Sequence, residues 1–207
     1  MAEPAFPLRL RHPDDGRSWP AQGEWTFEDY LRLPEDGRRY EVIRGFLYVA
    51  PSPTFDHQFS VGQLVRLIGN FVVERGLGIV LPSPFDVLLP GGLATPVQPD
   101  LVFLRTGNQP RPGDRNFQGV PDLAIEVLSP ATRRLDRSVK LAAYREARVP
   151  EVWLVDPIAR TVQVFAPDIG LREPADGATY RVGESVKSRV FAGLALQVAS
   201  LFPPRTE

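Results

Sequence analysis

The chain is predicted to fold as a mixed α/β (α+β) domain, with a central mixed sheet flanked by helices. Two observations predict this class. Short apolar segments of strand-like composition alternate with stretches of helical periodicity, in the order helix, strands, helix, strand pair. Hydrophobic residues make up 43% of the 207 positions and charged residues 24%, which is enough apolar material for a full core.

The N-terminal region is expected to contain an arm and a hairpin. The first 22 residues are rich in Pro, Arg and Asp without periodicity, so we expect an arm, disordered or loosely held, before a single domain over residues 23–207. Thr26 is placed to cap a short helix. Residues 40–43 and 46–49 flank a glycine turn, which predicts an N-terminal hairpin extension.

The remaining elements follow from periodicity. Apolar residues at 3.6-residue spacing predict a long helix over 57–75, and a second helix is expected over 133–148. The expected strands are 78–81 running into 85–89, 100–105, 122–128, 152–156 and 161–165. Residues 106–119 read as a loop, 167–190 as a loop-like stretch with room for one edge strand, and 194–202 as a short apolar segment.

Composition limits the function classes. A net charge of −1 gives no overall attraction to nucleic acid, so such binding would need a local basic patch. The absence of cysteine excludes disulfides and thiolate metal sites and suits a cytoplasmic protein. No segment approaches the ~18 apolar residues of a membrane span, and the first ~30 residues lack the apolar core of a signal peptide.

Two acids lie within strand-like apolar runs. If strands 100–105 and 122–128 pair antiparallel, Asp100 neighbours Glu126, while Asp122 lies roughly 13 Å from Glu126 along its strand. Adjacent carboxylates repel unless a cation lies between them, and oxygen donors suit Mg²⁺ or Mn²⁺. With histidine only at His12 and His57, a zinc site is not expected.

One lysine stands out in a chain that otherwise uses arginine. Of 24 Lys and Arg residues, only Lys140 and Lys187 are lysines. Lys140 shares a helical stripe with Asp136 and Tyr144, so it could form an i,i+4 pair with Asp136. Lys140 could instead orient an attacking water or stabilise negative charge on a phosphate. A third interpretation is that Lys140 has no special role and remained by chance while other lysine codons drifted to arginine. The start of the same helix carries Arg133, Arg134 and Arg137. These arginines could contact phosphates, or they could form a solvated basic face of the helix.

Three motifs resemble the Uma2 family (DUF820). They are Pro121-Asp-Leu-Ala-Ile-Glu-Val-Leu-Ser-Pro, Asp136 with Lys140-Leu-Ala-Ala-Tyr144, and Val149-Pro-Glu-Val-Trp-Leu-Val-Asp156. Pro99-Asp100 and Tyr40-Glu41 add to the resemblance, which spans about residues 25–202. It implies a restriction-endonuclease-like core of the PD-(D/E)XK superfamily with a Mg²⁺ (or Mn²⁺) site.

The resemblance also implies roles for particular residues. Asp100 matches the aspartate of the PD motif and Glu126 the second acid, and both are implied metal ligands. The superfamily's lysine normally lies two residues after that acid, where this chain has Leu128. Lys140, from the following helix, is the implied replacement, and Glu41 matches an additional catalytic acid. The expected substrate contacts are His57, Arg133, Arg134 and Arg137.

The function expected from this set is Mg²⁺-dependent endonucleolytic hydrolysis of nucleic acid, with DNA as the first candidate. A homodimer or higher homo-oligomer is expected. Two alternatives stay open: a catalytically idle binding or assembly module with a nuclease fold, and a hydrolase of smaller phosphate esters that lacks a basic groove. Fold alone does not decide between them.

Overall fold

The computed structural model describes residues 18–166 and 177–204. Most of the expected arm (residues 1–22) and part of the expected loop-like stretch (167–190) therefore lie outside the described residues. Within the described ranges, no helix combines the length and the hydrophobicity that crossing a membrane requires.

The helical and strand elements alternate along the described chain. The helical elements are α1 (Phe27–Tyr30), α2 (Phe55–Glu74), a π-helix (Leu135–Lys140) that continues into α3 (Leu141–Glu146), and 3₁₀ turns at Pro90–Gly92 and Val198–Leu201. The strands are β1 (Arg39–Ile43), β2 (Phe46–Ala50), β3 (Gly78–Pro82), β4 (Asp86–Leu89), β5 (Ala94–Val97), β6 (Leu101–Arg105), β7 (Asn116–Gln118), β8 (Leu123–Val127), β9 (Val152–Asp156), β10 (Thr161–Phe165), β11 (Ala178–Arg181), β12 (Ser185–Val186) and β13 (Leu196–Gln197).

A mixed six-stranded sheet forms the centre of the described fold. Its strand order is β11-β10-β9-β8-β6-β3, with β8 and β9 parallel and the other neighbours antiparallel. A second, five-stranded sheet has the order β2-β1-β5-β4-β7 and begins with the predicted hairpin. The expected fold class, a mixed central sheet with flanking helices, is confirmed.

Strand alternation sends side chains of the central sheet to two different cores. On β8, Leu123, Ile125 and Val127 pack with α2 residues, whereas Ala124 packs with the second sheet and α3. Because successive side chains point to opposite faces, Glu126 must face the α3 side. A charged residue is thereby directed into the layer between the two sheets.

Helix α2 forms because one face of it is apolar and its start is capped. The Thr54 side chain accepts a hydrogen bond from His57 N at 3.3 Å. The residues buried against the sheet include Leu64, Ile68 and Val72, at helical spacing. This packing holds His57, in the first turn, against the central sheet.

Several predicted boundaries were wrong. β3 and β4 do not run into each other: they belong to different sheets, and Pro84, which cannot donate to a ladder, lies between them. β7 lies inside the predicted loop 106–119, since a three-residue strand is too short to show a period. The predicted helix 133–148 is present as a continuous helical segment over 133–146, in which Leu135–Lys140 has π-helical geometry and Leu141–Glu146 is α3.

Glu151 anchors the C-terminal segment to the central sheet. This fully buried carboxylate accepts hydrogen bonds from Trp153 Nε1 (2.6 Å) and Ser188 Oγ (2.6 Å) at Oε1, and from Arg189 N (2.7 Å) at Oε2. A buried charge is tolerated only when donors surround it. The acid of the Val149-Pro-Glu-Val-Trp motif therefore has a structural role.

We expect Glu151→Gln to destabilise the protein by about 2–3 kcal/mol, because the amide nitrogen would face N–H and O–H donors inside the core. Urea unfolding followed by tryptophan fluorescence measures the effect. The control is Glu146→Gln, which breaks only the exposed pair with Arg44 and should stay within ~0.5 kcal/mol of wild type. Equal losses in both variants would contradict the anchor.

Candidate active site

The pairing of β6 with β8 brings the two predicted acids together. The strands are antiparallel, with Leu101 opposite Ile125 and Val102 opposite Ala124. Stepping one residue outward places Asp100 beside Glu126, both on the α3 side of the sheet. The predicted register is confirmed.

Asp122 lies at the other end of the same strand. Its Oδ2 accepts hydrogen bonds from Arg105 N and Asn108 Nδ2, both at 2.9 Å, and Arg105 Nε lies 3.1 Å from Oδ1. These contacts hold the loop after β6. Asp122 therefore holds a turn and lies away from Glu126, and the register argument predicted that separation.

Lys140 is the centre of the cluster. Its Nζ lies 2.9 Å from Glu41 Oε1, 3.1 Å from Glu126 Oε2 and 3.6 Å from Asp136 Oδ1. The lysine is 1% exposed and ends the π-helix, a rare conformation that concentrates at functional sites. The weak i,i+4 pair with Asp136 exists, but it is the longest of three ion pairs.

Asp100 is held from three sides. His57 Nε2 donates to Oδ2 at 3.1 Å, Val127 N donates to the same oxygen at 2.8 Å, and Arg39 Nη1 donates to Oδ1 at 3.2 Å. Burial alone would raise the pKa of Asp100, but the His57 hydrogen bond and the charges of Arg39 and Lys140 hold it below its usual value. Asp100 is therefore ionised.

Hydrogen bonds also fix the two glutamates. Tyr144 Oη, fully buried on α3, donates to Glu126 Oε1 at 2.5 Å. Gln98 N donates to Glu41 Oε1 at 2.6 Å. Each carboxylate thus has a fixed rotamer before any ligand arrives.

The cluster carries more negative than positive charge. The buried acids are Glu41, Asp100, Glu126 and Asp136, against two permanent cations, Lys140 and Arg39. Burial, together with the neighbouring acids, raises the pKa of Glu126 well above its usual value despite Lys140. The same carboxylates raise the pKa of Lys140, which burial alone would lower, so the ammonium stays charged and cannot act as a base.

The donor chemistry suits a divalent cation. Carboxylate oxygens are the ligands that Mg²⁺ prefers, and two positive charges would bring the four acids and two cations to neutrality. In the present arrangement, no three Asp, Glu or His side chains among residues 18–166 and 177–204 are grouped to hold a metal ion. Lys140 occupies the space between Glu41, Glu126 and Asp136.

The three arginines expected to bind substrate lie apart from this cluster. Arg133 Nη1 pairs with Asp156 Oδ2 at 2.6 Å, and Arg137 Nη2 hydrogen-bonds Gln163 Oε1. Arg134 is exposed. The structure thus brings together Asp100, Glu126, Lys140, Glu41 and His57, with the arginines on the flank of the π-helix.

Four residues of the cluster were not predicted as site residues. Asp136 and Tyr144 carried a usable signal, because they lie four residues before and after Lys140 on one helical stripe. Arg39 also carried one, since it precedes Glu41 by two residues on a strand and must share its face. Gln98 acts through its backbone N–H, which leaves no mark in a residue pattern.

The fold is shared with a protein of known structure. A solved structure, titled as a putative nuclease belonging to DUF820 from Anabaena variabilis ATCC 29413, superposes with a TM-score of 0.73 at 22% sequence identity, covering 86% of this chain and 97% of that one. The Uma2 family model, described as "Putative restriction endonuclease", matches residues 27–199. The chain belongs to the Uma2 family. None of the curated proteins matches it. Family and fold together support a nuclease.

We expect Asp136→Asn to stabilise the metal-free protein near neutral pH. Burial, together with Asp100 and Glu41, raises the pKa of Asp136 from 3.8 to about 6 despite Lys140. Between these values the unfolded chain has lost the proton and the folded chain has kept it, so the free energy of unfolding falls as pH rises through this window. The asparagine removes that loss.

Urea unfolding in EDTA at about pH 4 and about pH 7 measures this difference. The advantage of Asp136→Asn should be small at the lower pH and full at the higher one. Glu74→Gln, which neutralises an exposed acid, should show no such pH-dependent gain. An Asp136→Asn variant less stable than wild type at both values would contradict the charge argument.

Proposed function

We propose that this protein is a Mg²⁺-dependent endonuclease that hydrolyses phosphodiester bonds in nucleic acid, with DNA as the substrate. The observation that carries the proposal is the Lys140 ammonium, 3.1 Å from Glu126, beside an Asp100 that the strand register sets next to the same glutamate. Phosphoryl transfer requires groups that stabilise negative charge in the transition state, and a cation fixed beside paired acids can provide them.

Asp100 and Glu126 would hold the metal ion, with Mn²⁺ as a substitute for Mg²⁺. When bound, the ion would polarise the scissile phosphate and lower the pKa of water. Lys140, kept protonated by its acidic neighbours, would donate hydrogen bonds to the attacking water or to the negative charge that develops on the phosphate. Glu41 positions Lys140, and His57 positions Asp100 through the 3.1 Å hydrogen bond.

Outside the acidic cluster, we propose that backbone phosphates contact the π-helix flank. Arg134 is exposed there, and Arg133 and Arg137 lie beside it. A cytoplasmic location and a homodimer or higher homo-oligomer belong to the same proposal.

One observation favours a second candidate, a nuclease-fold module that binds partners without cleaving them. The acids of the described cluster are already satisfied by Lys140, Arg39, His57 and Tyr144, and they form no ready metal-binding group. Calorimetric titration with Mn²⁺ separates the two candidates. An absence of binding heat would favour the idle module.

We expect Asp100→Asn and Glu126→Gln each to abolish Mg²⁺-dependent cleavage, because each removes one of two proposed charged ligands without changing side-chain volume. Cleavage of plasmid and single-stranded DNA, with an EDTA control, measures the activity. Asp122→Asn is the matched control: it changes an acid of the same strand that only holds a turn, and it should keep near-wild-type rates. Full activity in either of the first two variants would refute the site.

We expect Lys140→Arg to lower cleavage about 100-fold while Mn²⁺ still binds, because the planar guanidinium hydrogen-bonds in other directions and displaces the water by ~1 Å. Since Lys140 is buried, the bulkier side chain should also cost about 1–3 kcal/mol of stability.

Single-turnover rates on the folded variant measure the loss of cleavage. Lys187→Arg makes the same substitution at the other lysine, which is exposed, and should leave rate and stability unchanged. Wild-type turnover in Lys140→Arg would show that no ammonium is required.

A further inference from the structure

Arg39 is the second permanently charged cation of the cluster, beside Lys140. It begins β1 and shares a strand face with Glu41 two residues later. Its Nη1 donates to Asp100 Oδ1 at 3.2 Å and to Ser83 Oγ at 2.8 Å. The guanidinium therefore lies directly beside the proposed metal ligand.

Arg39 is also the charged member of the cluster that reaches solvent. Glu41, Asp100, Glu126, Asp136 and Lys140 are all buried, whereas the Arg39 side chain is 25% exposed. A ligand in solvent can therefore contact the Arg39 side chain, while the acids beside it are buried.

The guanidinium has donor capacity left. Arginine carries five N–H donors, and within the described residues the hydrogen bonds of Arg39 come from Nη1. Its Nε is buried without a partner, whereas Nη2 is not among the buried unpaired atoms and is the donor left for a ligand. The Ser83 hydroxyl accepts from Arg39 and keeps its own hydrogen to donate. A planar fork with free donors matches the oxygens of a phosphate.

Charge explains why a phosphate would need this residue. A phosphodiester is an anion, and the four buried acids repel it. Lys140 is enclosed by three carboxylates, so its charge is already compensated. Arg39 is the cation of the cluster that can contact both the acids and an incoming anion.

We propose that Arg39, with the Ser83 hydroxyl beside it, binds a backbone phosphate of the nucleic-acid substrate at the mouth of the site. This assignment rests on the proposed nuclease function and adds the substrate-binding residue to it. In the metal-free protein the same guanidinium compensates Asp100.

Salt dependence of binding gives the decisive test. A short fluorescein-labelled DNA duplex is titrated with the protein in EDTA, so that no metal-dependent cleavage runs, and the dissociation constant is measured by fluorescence anisotropy over a salt series. The logarithm of the association constant falls linearly with the logarithm of the salt concentration. Loss of one phosphate contact makes this slope less steep by about 0.9 and weakens binding about tenfold at ~0.1 M salt. We expect both changes in Arg39→Gln.

The matched control removes the neighbouring charge. Arg38→Gln deletes an arginine that is 49% exposed and pairs with Asp36, and its slope should equal that of wild type. An equal drop in both variants would show a general charge effect and overturn the assignment. An unchanged slope in Arg39→Gln would overturn it as well.

Arg39→Lys keeps the test decisive if the glutamine variant does not fold. The ammonium preserves the charge, so the slope should stay within ~0.3 of wild type, while the loss of the planar fork should weaken binding several-fold. If Arg39 only supported Asp100, the folded Arg39→Lys variant would bind the duplex with wild-type affinity. That result would refute the proposal.

Failure of this assignment is distinguishable from failure of the proposed function. Duplex binding with the expected slope change but no Mg²⁺-dependent cleavage would reject the nuclease and keep Arg39 as a phosphate contact. Cleavage with an unchanged slope in Arg39→Gln would reject Arg39 alone. A wild-type protein that binds no duplex would overturn the Arg39 assignment.

Discussion

The buried ammonium of Lys140 is the interaction on which the architecture of the site depends. It lies within 3.6 Å of carboxylates from β1, β8 and the π-helix, elements that belong to two different sheets and to the layer between them. Desolvating an ion costs several kcal/mol, so an unpaired charge here would not persist. The lysine and its acids therefore have to be buried together, and this requirement joins the two sheets at the site.

The ammonium beside Glu126 comes from a helix and not from the strand that carries the glutamate. The position two residues after Glu126 is Leu128, which is 2% exposed and packs in the core between the sheets. A lysine there would have displaced apolar packing. The π-helix of Leu135–Lys140 instead presents Asp136 and Lys140 to the same glutamate from the opposite side of the layer.

A second layer of hydrogen bonds supports this arrangement. Gln98 donates from its backbone to Glu41 and from its side chain to Asp86 Oδ1 at 2.7 Å, and Tyr30 Oη donates to the same Asp86 at 3.0 Å. Helix α1 and the five-stranded sheet are thus connected to the proposed site through polar contacts rather than through apolar packing alone. Such support keeps a site in one geometry.

The sequence by itself determined the long helices and strands. It also determined which side chains share one face of a strand or helix, because that depends only on the periodicity of the element. On the assumption that strands 100–105 and 122–128 pair antiparallel, strand geometry was enough to set Asp100 beside Glu126 and Asp122 far from it. The structure supplied that pairing. Helical spacing put Asp136, Lys140 and Tyr144 on one stripe. The sequence did not predict the short strand β7, because three residues are too few to show a period. It also did not predict that β3 and β4 belong to different sheets, because a proline between two strands does not specify which sheet each strand joins. Only the tertiary structure decided that Arg39 meets Asp100 and that Lys140 is buried among three acids. The Arg39–Asp100 contact joins residues 61 positions apart, and the Lys140–Glu41 pair is also distant in sequence. The geometry of these contacts depends on how two sheets and a helix pack rather than on any local pattern.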